Sequence, residues 1–378
     1  MAIKVYPDLA KDLKKYGADD FNACYNCGNC TAVCNLTDEH ENFPRMMIRY
    51  GLLGLKDEIL SSRELWMCYH CGECSETCPR QADPGELMAA MRRYAIAHYE
   101  PTGITRLIFK NNPFYLFFTL LLAVVLGFFL LTLKPEMEIS RWIFSWMPYD
   151  IIHELGIIVF AFMGVTAFWG VGRMILKLKN NSPSNSQGEK KSVWARFIKA
   201  FGGMLEEVAT MKRYQKCEEN EDEYFYGKSR LVKPWLVHWT IMWGFIGLLT
   251  ATVLDFIFKD PATTVWWPSR ILGTLAGILM VYGSTLALFY RITKPTKTYE
   301  STKLADWIFL SFIWLAGITG FWMELAVFLD LRWTFTNIIF IIHTIISMEL
   351  VILFAYSKFA HAFYRPVALY FSNLARMN

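Results

Sequence analysis

The chain has 378 residues, of which 54% are hydrophobic and 16% aromatic, while only 19% are charged. This composition excludes an ordinary water-soluble enzyme, because soluble chains carry about a quarter of charged residues. The formal net charge of +4 is too small to indicate a nucleic-acid partner, and we expect none. The charged residues cluster in blocks that leave long apolar stretches between them, which is typical of a membrane protein.

Residues 1–100 are predicted to form a soluble domain, because charged helical runs alternate there with eight of the nine cysteines. The opening stretch MAIKVYPDLAKDLKKYGADD is polar and has no apolar core of the kind that a secretory signal peptide needs. We therefore expect this domain to stay in the reducing cytoplasm, where disulfides are rare.

The cysteines of this domain repeat one spacing, C-x2-C-x2-C-x3-C. The first copy consists of Cys24, Cys27, Cys30 and Cys34, and the second of Cys68, Cys71, Cys74 and Cys78. In such a run three thiolates hold one [4Fe-4S] cluster, and the fourth ligates the other cluster of a pair. The first cluster site is therefore predicted to consist of Cys24, Cys27, Cys30 and Cys78. The second cluster site is predicted to consist of Cys68, Cys71, Cys74 and Cys34.

Structural zinc is the alternative for these cysteines. Four-thiolate zinc sites use paired C-x2-C knuckles, and two runs of four cysteines fit that pattern poorly. The stretch 35–67 between the motifs has mostly helical patterning, which favours a helical ferredoxin over the compact β-rich one. Pro79 closes the second motif, whereas Asn35 stands at the matching place in the first. Cys217 has no partner at ligand spacing and is expected to be a bystander.

After Pro101 the chain becomes apolar, and residues 101–378 are predicted to form a six-span membrane domain. The predicted spans cover 114–133, 151–175, 235–257, 271–291, 305–328 and 337–360, each close to the length needed to cross a bilayer. Lys and Arg are concentrated in the loops after the second and fourth spans and at the C-terminus. The positive-inside rule therefore predicts a multi-pass protein of the inner membrane with both termini in the cytoplasm.

The loop 176–234 contains a linker-like stretch, NNSPSNSQGEKK, and then a periodic segment. One helical face of that segment is apolar: Trp194, Phe197, Ile198, Phe201, Leu205 and Val208. Two interpretations remain open. The helix lies on the membrane surface or docks a partner, or it packs on the N-terminal domain.

Four of the seven histidines lie in or at the ends of predicted spans: His153, His238, His343 and His361. The last two are about five helical turns apart on the last predicted span, so we expect them on one helical face near opposite membrane sides. His153 is then level with His343, and His238 with His361. This layout predicts two bis-histidine b-type haems stacked across the bilayer. A single haem, or histidines that only pack, are the alternatives.

Ionisable residues inside membrane spans are functional candidates by default. The candidates for contact with a quinone are Glu154, Asp255, Glu324, Glu349 and Lys358. Each of them has an alternative role in pairing with a haem propionate, a neighbouring helix or the interface. His40, His70 and His98 are expected at the surface or in support of the clusters. No Gly-rich dinucleotide fingerprint occurs, so bound flavin or NAD is not expected.

The doubled cysteine motif resembles the C subunit of heterodisulfide reductase. The four-histidine membrane part resembles both the cytochrome b subunit of that enzyme and the gamma subunit of respiratory nitrate reductase. Their fusion in one chain resembles the C subunits of quinone-interacting membrane-bound oxidoreductase (Qmo) complexes of sulfate reducers. The expected fold is mostly α, with a helical double-cluster ferredoxin domain followed by a six-helix transmembrane cytochrome b domain.

The resemblance implies a function in electron transfer. Menaquinol would be oxidised, and electrons would pass through two b haems and two [4Fe-4S] clusters to cytoplasmic flavin and iron-sulfur subunits. Two of these partners would resemble the A subunit of heterodisulfide reductase, and the acceptor beyond them would be adenylylsulfate reductase in sulfate respiration. Three alternatives are a heterodisulfide-reductase-like thiol and disulfide complex, a membrane anchor for a ferredoxin domain, and a transporter, which the lack of symmetry between the spans disfavours.

Overall fold

The computed structural model describes residues 3–39, 42–133, 142–180, 193–218, 229–258 and 268–377. Within these ranges all regular structure is helical, and no strand occurs. The predicted fold class, mostly α with a long apolar helical part, is therefore confirmed.

The N-terminal part is built around one long helix. Seven helices form it: α1 Leu9–Lys14, α2 Asn29–Ala32, α3 Arg45–Leu52, α4 Lys56–Leu60, α5 Glu64–Met67, α6 Glu73–Glu76 and α7 Pro84–Tyr99. The Asp83 side chain caps α7 by accepting a hydrogen bond from the backbone N–H of Glu86. The other six helices have four to eight residues and are too short to be stable alone, so they depend on packing around α7.

Six helices are long and apolar enough to cross a membrane. They are α9 Asn112–Thr132, α10 Tyr149–Asn180, α13 Pro234–Phe258, α14 Pro268–Thr293, α16 Leu304–Phe328 and α17 Thr334–Leu353. Their outer faces expose large apolar side chains such as Phe117 and Phe168, which suits contact with lipid. The connecting helices are α8 Ile104–Lys110, α11 Val193–Thr210, α12 Lys212–Cys217, α15 Lys297–Glu300 and α18 His361–Ala375.

The last predicted span, 337–360, is wrong at its C-terminal end. Helix α17 stops at Leu353, and a 3-10 turn over Lys358–Ala360 leads into α18. His343 and His361 therefore lie on different helices, and the expectation that they share one helical face is wrong. The apolar residues around 354–360 continue the span pattern, but the Lys358 ammonium pairs with the Asp306 carboxylate on α16 at 2.9 Å, which holds the chain in the turn.

The N-terminal domain shares a core with one end of the membrane part. The Tyr364 ring of α18 lies 5.3 Å from the Trp66 ring and 5.2 Å from the Tyr99 ring, measured between ring centroids. Met174 and Leu178, at the end of α10, belong to the same buried cluster. The domain is therefore docked by apolar packing on the last helix and not only tethered by the chain.

Helix α11 packs along α18 and also reaches the N-terminal domain. Its Ala200 carbonyl accepts a hydrogen bond from the Asn373 side chain, and its Glu207 carboxylate accepts one from the Tyr69 hydroxyl. Trp194 and Ile198 stay exposed on the other side of the helix. The packing interpretation thus describes one side of α11, and the membrane-surface interpretation stays a prediction for the other.

Helices α13 and α14 pack closely, because glycines line the contact. A Cβ atom on Gly244 would lie only 2.6 Å from the backbone nitrogen of Met280 and 2.8 Å from the Ala276 carbonyl oxygen. Gly283 meets α13 in the same way, since its Cβ would lie 2.8 Å from the Val237 carbonyl oxygen. Small residues of this kind let membrane helices approach closely.

We predict that Gly244→Ala destabilises the protein by about 1–3 kcal/mol, because the added methyl group forces the two helix backbones apart. The matched control is Gly164→Ala, also in a membrane helix, where the new methyl group meets nothing within 4 Å. Thermal unfolding of the purified chain in detergent measures both. Equal midpoints for the two variants would contradict the prediction.

Candidate metal centres

The two cysteine motifs fold in the same way. In the first, the backbone N–H of Asn26 donates to Cys24 Sγ at 3.3 Å, and in the second the N–H of His70 donates to Cys68 Sγ at 3.3 Å. Asn26 and His70 both have the left-handed backbone conformation, with φ of 66° and 61°. Such bonds favour the thiolate form of the sulfur, which is the form that ligates metal.

A glycine in the left-handed conformation begins the short helix of each motif. Gly28, with φ of 92°, precedes α2, and Gly72, with φ of 98°, precedes α6. The two short helices pack against each other, and the Asn29 side chain donates to the Thr77 carbonyl at 2.8 Å. The motifs are therefore structural repeats that face one another across this contact.

The fourth cysteine of each motif lies with the first three cysteines of the other. The cysteines that act electrostatically on Cys30 are Cys24, Cys27 and Cys78. One small cavity is lined by Cys34, Cys68, Cys71 and Cys74. The structure thus brings together the members of each predicted cluster site, while their role as ligands stays a prediction.

Among the described residues, no group of three or more His, Cys, Asp or Glu side chains is arranged to hold one metal ion. The choice of [4Fe-4S] clusters over structural zinc rests on the doubled C-x2-C-x2-C-x3-C spacing of the cysteines.

Burial favours the protonated thiol at one cysteine of each cluster site, so metal binding there has to displace a proton. It raises the pKa of the Cys30 thiol to about 11 and also raises the pKa of Cys68. Two arginines offset this effect at the second cluster site. Arg92 and Arg365 both donate to the Cys68 carbonyl oxygen, at 2.5 and 2.6 Å, and their positive charges favour an anionic cluster.

Arg365 was not predicted as a functional residue. It lies one helical turn after His361 on α18, and its guanidinium stacks over the Tyr69 ring at 4.0 Å from the ring centroid. Neither its spacing nor its surroundings in the sequence distinguish it from other cationic residues near span ends. Only the docking of α18 on the N-terminal domain brings it to the cluster site.

Cys217, which the sequence predicts to be a bystander, lies beside the second cluster site. Cys217 ends α12 and is buried, and it lines the same cavity as the four cysteines of the second cluster site. The neighbouring Cys217 thiol lowers the pKa of Cys71 to about 7. The sequence held no signal for this contact, because α12 lies far along the chain from both motifs.

The two described histidines of the N-terminal domain lie in different surroundings. His70 lines the cavity of the second cluster site, and its Nε2 lies 3.9 Å from the Glu86 carboxylate. His98 packs on the Tyr94 ring and hydrogen bonds to the Tyr94 carbonyl, away from both sites, and burial lowers its pKa to about 4. His40 lies outside the described residues.

His238 and His361 are brought face to face. Their ring centroids are 6.1 Å apart. Metal–imidazole bonds are about 2 Å long, so two rings that ligate one iron from opposite sides have centroids about 6 Å apart. His361 Nδ1 donates to the Lys358 carbonyl at 2.6 Å, whereas His238 Nδ1 is buried with no partner among the described residues.

The donor set of this pair fits the axial ligation of a haem. Burial lowers the pKa of His361 well below its usual range, which keeps the imidazole neutral, as ligation requires. The hydrogen bond to Lys358 fixes one ring nitrogen and leaves the other for the metal, which is the usual arrangement for a ligating histidine. The protein's own contacts therefore hold the His238 and His361 rings at a separation that suits one iron between them.

Aromatic rings connect this histidine pair to the second cluster site. The Tyr214 ring lies 6.0 Å from the His238 ring and stacks on the Tyr69 ring at 4.8 Å, centroid to centroid. Tyr69 directly follows Cys68 in the chain. The rings therefore form a continuous path of contacts from the membrane histidines to a cluster cysteine.

The second predicted pair is not brought together in the same way. His343 lines a cavity of about 530 Å³ between the membrane helices, and its Nδ1 hydrogen bonds with the Thr319 hydroxyl at 2.9 Å. His153 is not among the residues that line this cavity. Its ring packs edge-on against Phe256, which does line it, at 4.9 Å between centroids.

The five quinone candidates lie in different places. Asp255 and Glu324 line the cavity with His343, where Ser269 donates to Asp255 and Thr274 donates to Glu324 at 2.6 Å. The other three lie elsewhere. Glu154 is exposed, Glu349 is buried with Oε1 unpartnered in the described part of the chain, and Lys358 pairs with Asp306.

Fold and sites together define a membrane protein with an iron-sulfur domain on one end of a six-helix part. Residues 13–82 match the family model of the 4Fe-4S dicluster domain. That match covers both cysteine motifs and lies within the N-terminal domain. The iron-sulfur class predicted for this domain is thereby confirmed.

The chain is similar over part of its length to curated C subunits of heterodisulfide reductases. It is 34% identical over 114 residues to a protein of Archaeoglobus profundus named as like that C subunit, over 29% of this chain and 61% of that protein. It is 35% identical over 88 residues to the C subunit of the H2:CoB-CoM heterodisulfide,ferredoxin reductase of Methanothermobacter thermautotrophicus, over 23% of this chain and 48% of that protein.

A third relative is the iron-sulfur C subunit of the CoB–CoM heterodisulfide reductase of Methanopyrus kandleri, 41% identical over 73 residues, which are 19% of this chain and 38% of that protein. The chain thus spans about 40 to 60% of the length of these relatives. No solved structure gives a significant match. The chain joins a region related to the C subunit of heterodisulfide reductase to a membrane part with six long apolar helices.

We predict that Cys78→Ala and Cys34→Ala remove different clusters, because the fourth cysteine of each motif serves the other site. The electron paramagnetic resonance spectrum of reduced Cys78→Ala should match that of Cys27→Ala, and the spectrum of Cys34→Ala should match that of Cys71→Ala. Each variant should keep about half of the iron. If Cys78→Ala instead matches Cys71→Ala, the exchange of fourth cysteines is wrong.

Proposed function

We propose that the chain is the membrane electron-transfer subunit of a quinone-linked oxidoreductase complex. It oxidises menaquinol and passes electrons through two b haems and two [4Fe-4S] clusters to cytoplasmic flavin and iron-sulfur subunits. One observation carries this proposal: the His238 and His361 pair is joined to the second cluster site by the stacked rings of Tyr214 and Tyr69. A histidine pair that only packed would need no such path.

In this proposal His238 and His361 hold one haem, and His153 and His343 hold the other. A bound b haem supplies a one-electron carrier inside the membrane. The protein's part is to keep the imidazoles neutral, to orient them through Lys358 and Thr319, and to surround them with apolar helices. For the second pair, Phe256 has to move aside, since its ring packs against His153 and lines the cavity.

Oxidation of menaquinol to menaquinone releases two electrons and two protons, so the quinol site needs proton acceptors. Asp255 and Glu324 are carboxylates at the wall of the large cavity, each held by a hydroxyl group. They are in reach of a quinol that binds beside the haem of His343, whereas Glu154 is exposed. The quinol site is therefore assigned to the end of the membrane part that lies away from the N-terminal domain.

The two cluster sites differ in exposure, which orders them along the electron path. The second cluster site is enclosed by Arg365 and Cys217, which belong to the membrane part and its loop. The first cluster site has Cys27 exposed, next to the exposed ring of Tyr25. Electrons therefore enter at the second site and leave at the first, where partner subunits dock.

For the partners we propose subunits of a Qmo-like complex, two of them resembling the A subunit of heterodisulfide reductase, with adenylylsulfate reductase as the acceptor in sulfate respiration. The N-terminal domain and C-terminus then face the cytoplasm from the inner membrane. A second candidate is the membrane subunit of a heterodisulfide-reductase-like thiol and disulfide complex. The names of the relatives favour it, since they specify the CoB–CoM heterodisulfide.

A third hypothesis, a membrane anchor for a ferredoxin domain, differs from the two candidates above because it predicts that the chain binds no haem. The reduced-minus-oxidised optical spectrum of the purified chain, recorded before and after a menaquinol analogue is added, separates the cases. Two b haems that are reduced by the quinol support the proposed path. Iron-sulfur signals without haem would leave a tethered ferredoxin and overturn the proposal.

We predict that His238→Ala and His343→Ala each lose one of two haems, because each removes an axial ligand of a different pair. Haem per chain is counted by pyridine extraction. The control is His98→Gln, since His98 lies in the N-terminal domain against Tyr94 and should leave both haems in place. Loss of both haems from His98→Gln, or of none from the membrane variants, would count against the assignment.

We predict that Glu324→Gln slows oxidation of a menaquinol analogue by about 100-fold or more, because a positioned proton acceptor typically contributes that much. Its haem and iron content should be unchanged. The matched control is Glu154→Gln, which alters an exposed carboxylate of another membrane helix and should keep the wild-type rate. A wild-type rate in Glu324→Gln would place the quinol elsewhere.

A further inference from the structure

One cysteine is left over from the two predicted cluster sites. Cys217 ends α12, and its side chain is buried, with the residue 8% exposed. It lines one cavity together with Cys34, Cys68, Cys71 and Cys74. The second cluster site therefore has five thiols around it, where a cubane takes four.

Several contacts hold Cys217 at this place. The carbonyl of the preceding residue, Lys216, accepts a hydrogen bond from the Asn35 side chain at 2.8 Å, directly after Cys34. The Tyr214 ring stacks on Tyr69, which follows Cys68. Helix α12 is thus fastened beside both motif segments that contribute to the second cluster site, and Cys217 has little freedom to leave it.

The start of a membrane helix fixes the other side of this segment. The indoles of Trp235, Trp239 and Trp243 on α13 donate to the last carbonyls of α11, at 3.1, 2.9 and 3.1 Å. These bonds satisfy carbonyls that a helix end leaves without partners. The position of Cys217 is therefore set by the membrane part and not by the N-terminal domain alone.

Two acceptors are in reach of the Cys217 thiol. One is the carbonyl oxygen of Arg213, one turn earlier, at a long distance of 3.5 Å. The other is the sulfur of Cys71, which lines the same cavity and acts on the Cys217 thiol electrostatically. A thiolate that ligates a cluster carries negative charge, and charged acceptors form the stronger hydrogen bonds. The thiol proton therefore points to Cys71 when a cluster is bound.

We infer that Cys217 is a positioning residue of the second cluster site, whose thiol donates a hydrogen bond to Cys71 Sγ and raises the reduction potential of that cluster. A hydrogen bond to a ligating sulfur draws electron density from it and favours the reduced cluster. This inference rests on the proposed function, because it needs the cluster. Cys217 is then a fifth thiol at this site, which shifts the reduction potential of the cluster without ligating it.

The test is a redox titration of the whole chain in detergent, followed by electron paramagnetic resonance. Iron and sulfide are first counted in the wild type, and absence of clusters there would overturn the proposed function itself. In Cys217→Ala both clusters should remain. The midpoint potential of the second cluster should shift to more negative values, and that of the first should change little.

Cys217→Ser keeps a donor at the same position, so its midpoint should lie closer to the wild type than that of Cys217→Ala. Tyr214→Phe is the packing control, since it changes the same helix and keeps both the ring and the thiol. An unchanged potential in Cys217→Ala with both clusters present would overturn the inference. Loss of the second cluster from both Cys217 variants would also overturn it, by making Cys217 a ligand.

Discussion

The contact between Lys358 and Asp306 is the constraint on which the arrangement of the sites depends. The carboxylate of Asp306 is buried at the start of α16 and needs a charged partner, since an unpaired buried charge is strongly unfavourable. Lys358 provides it from the turn after α17. With the chain held in that turn, α18 leaves the bundle and runs against the N-terminal domain instead of extending the last membrane helix.

This redirection places two side chains of the candidate sites one helical turn apart. His361 begins α18 and faces His238, and Arg365 reaches the Cys68 carbonyl and covers the Tyr69 ring. The same short helix therefore contacts the membrane histidine pair and the second cluster site. A straight last helix would keep His361 but would carry Arg365 away from the cluster site.

The two cluster sites share a local fold but not an environment. Both motifs use a left-handed residue and a left-handed glycine around a short helix. The second site is covered by arginines and a fifth thiol from outside the motif, whereas the first keeps Cys27 at the surface. Because charge and hydrogen bonds set the potential of a cluster, sites with equal ligands can serve as entry and exit of an electron path.

The sequence by itself determined the features that depend on spacing and composition. The doubled cysteine run defines an iron-sulfur domain with two sites, and the six apolar segments define six membrane helices. Both follow from local rules, since a cluster loop needs cysteines at short fixed intervals and a span needs about 20 apolar residues.

Only the tertiary structure decided what surrounds these elements. The end of α17 at Leu353, the position of Cys217 and the covering of the second site by Arg365 each depend on a partner far along the chain. Apolar periodicity continued past Leu353, and the local signal against a longer span was Lys358, whose partner Asp306 lies on another helix. Long-range charge pairing and packing end the helix at Leu353, and neither can be predicted from the spacing of residues.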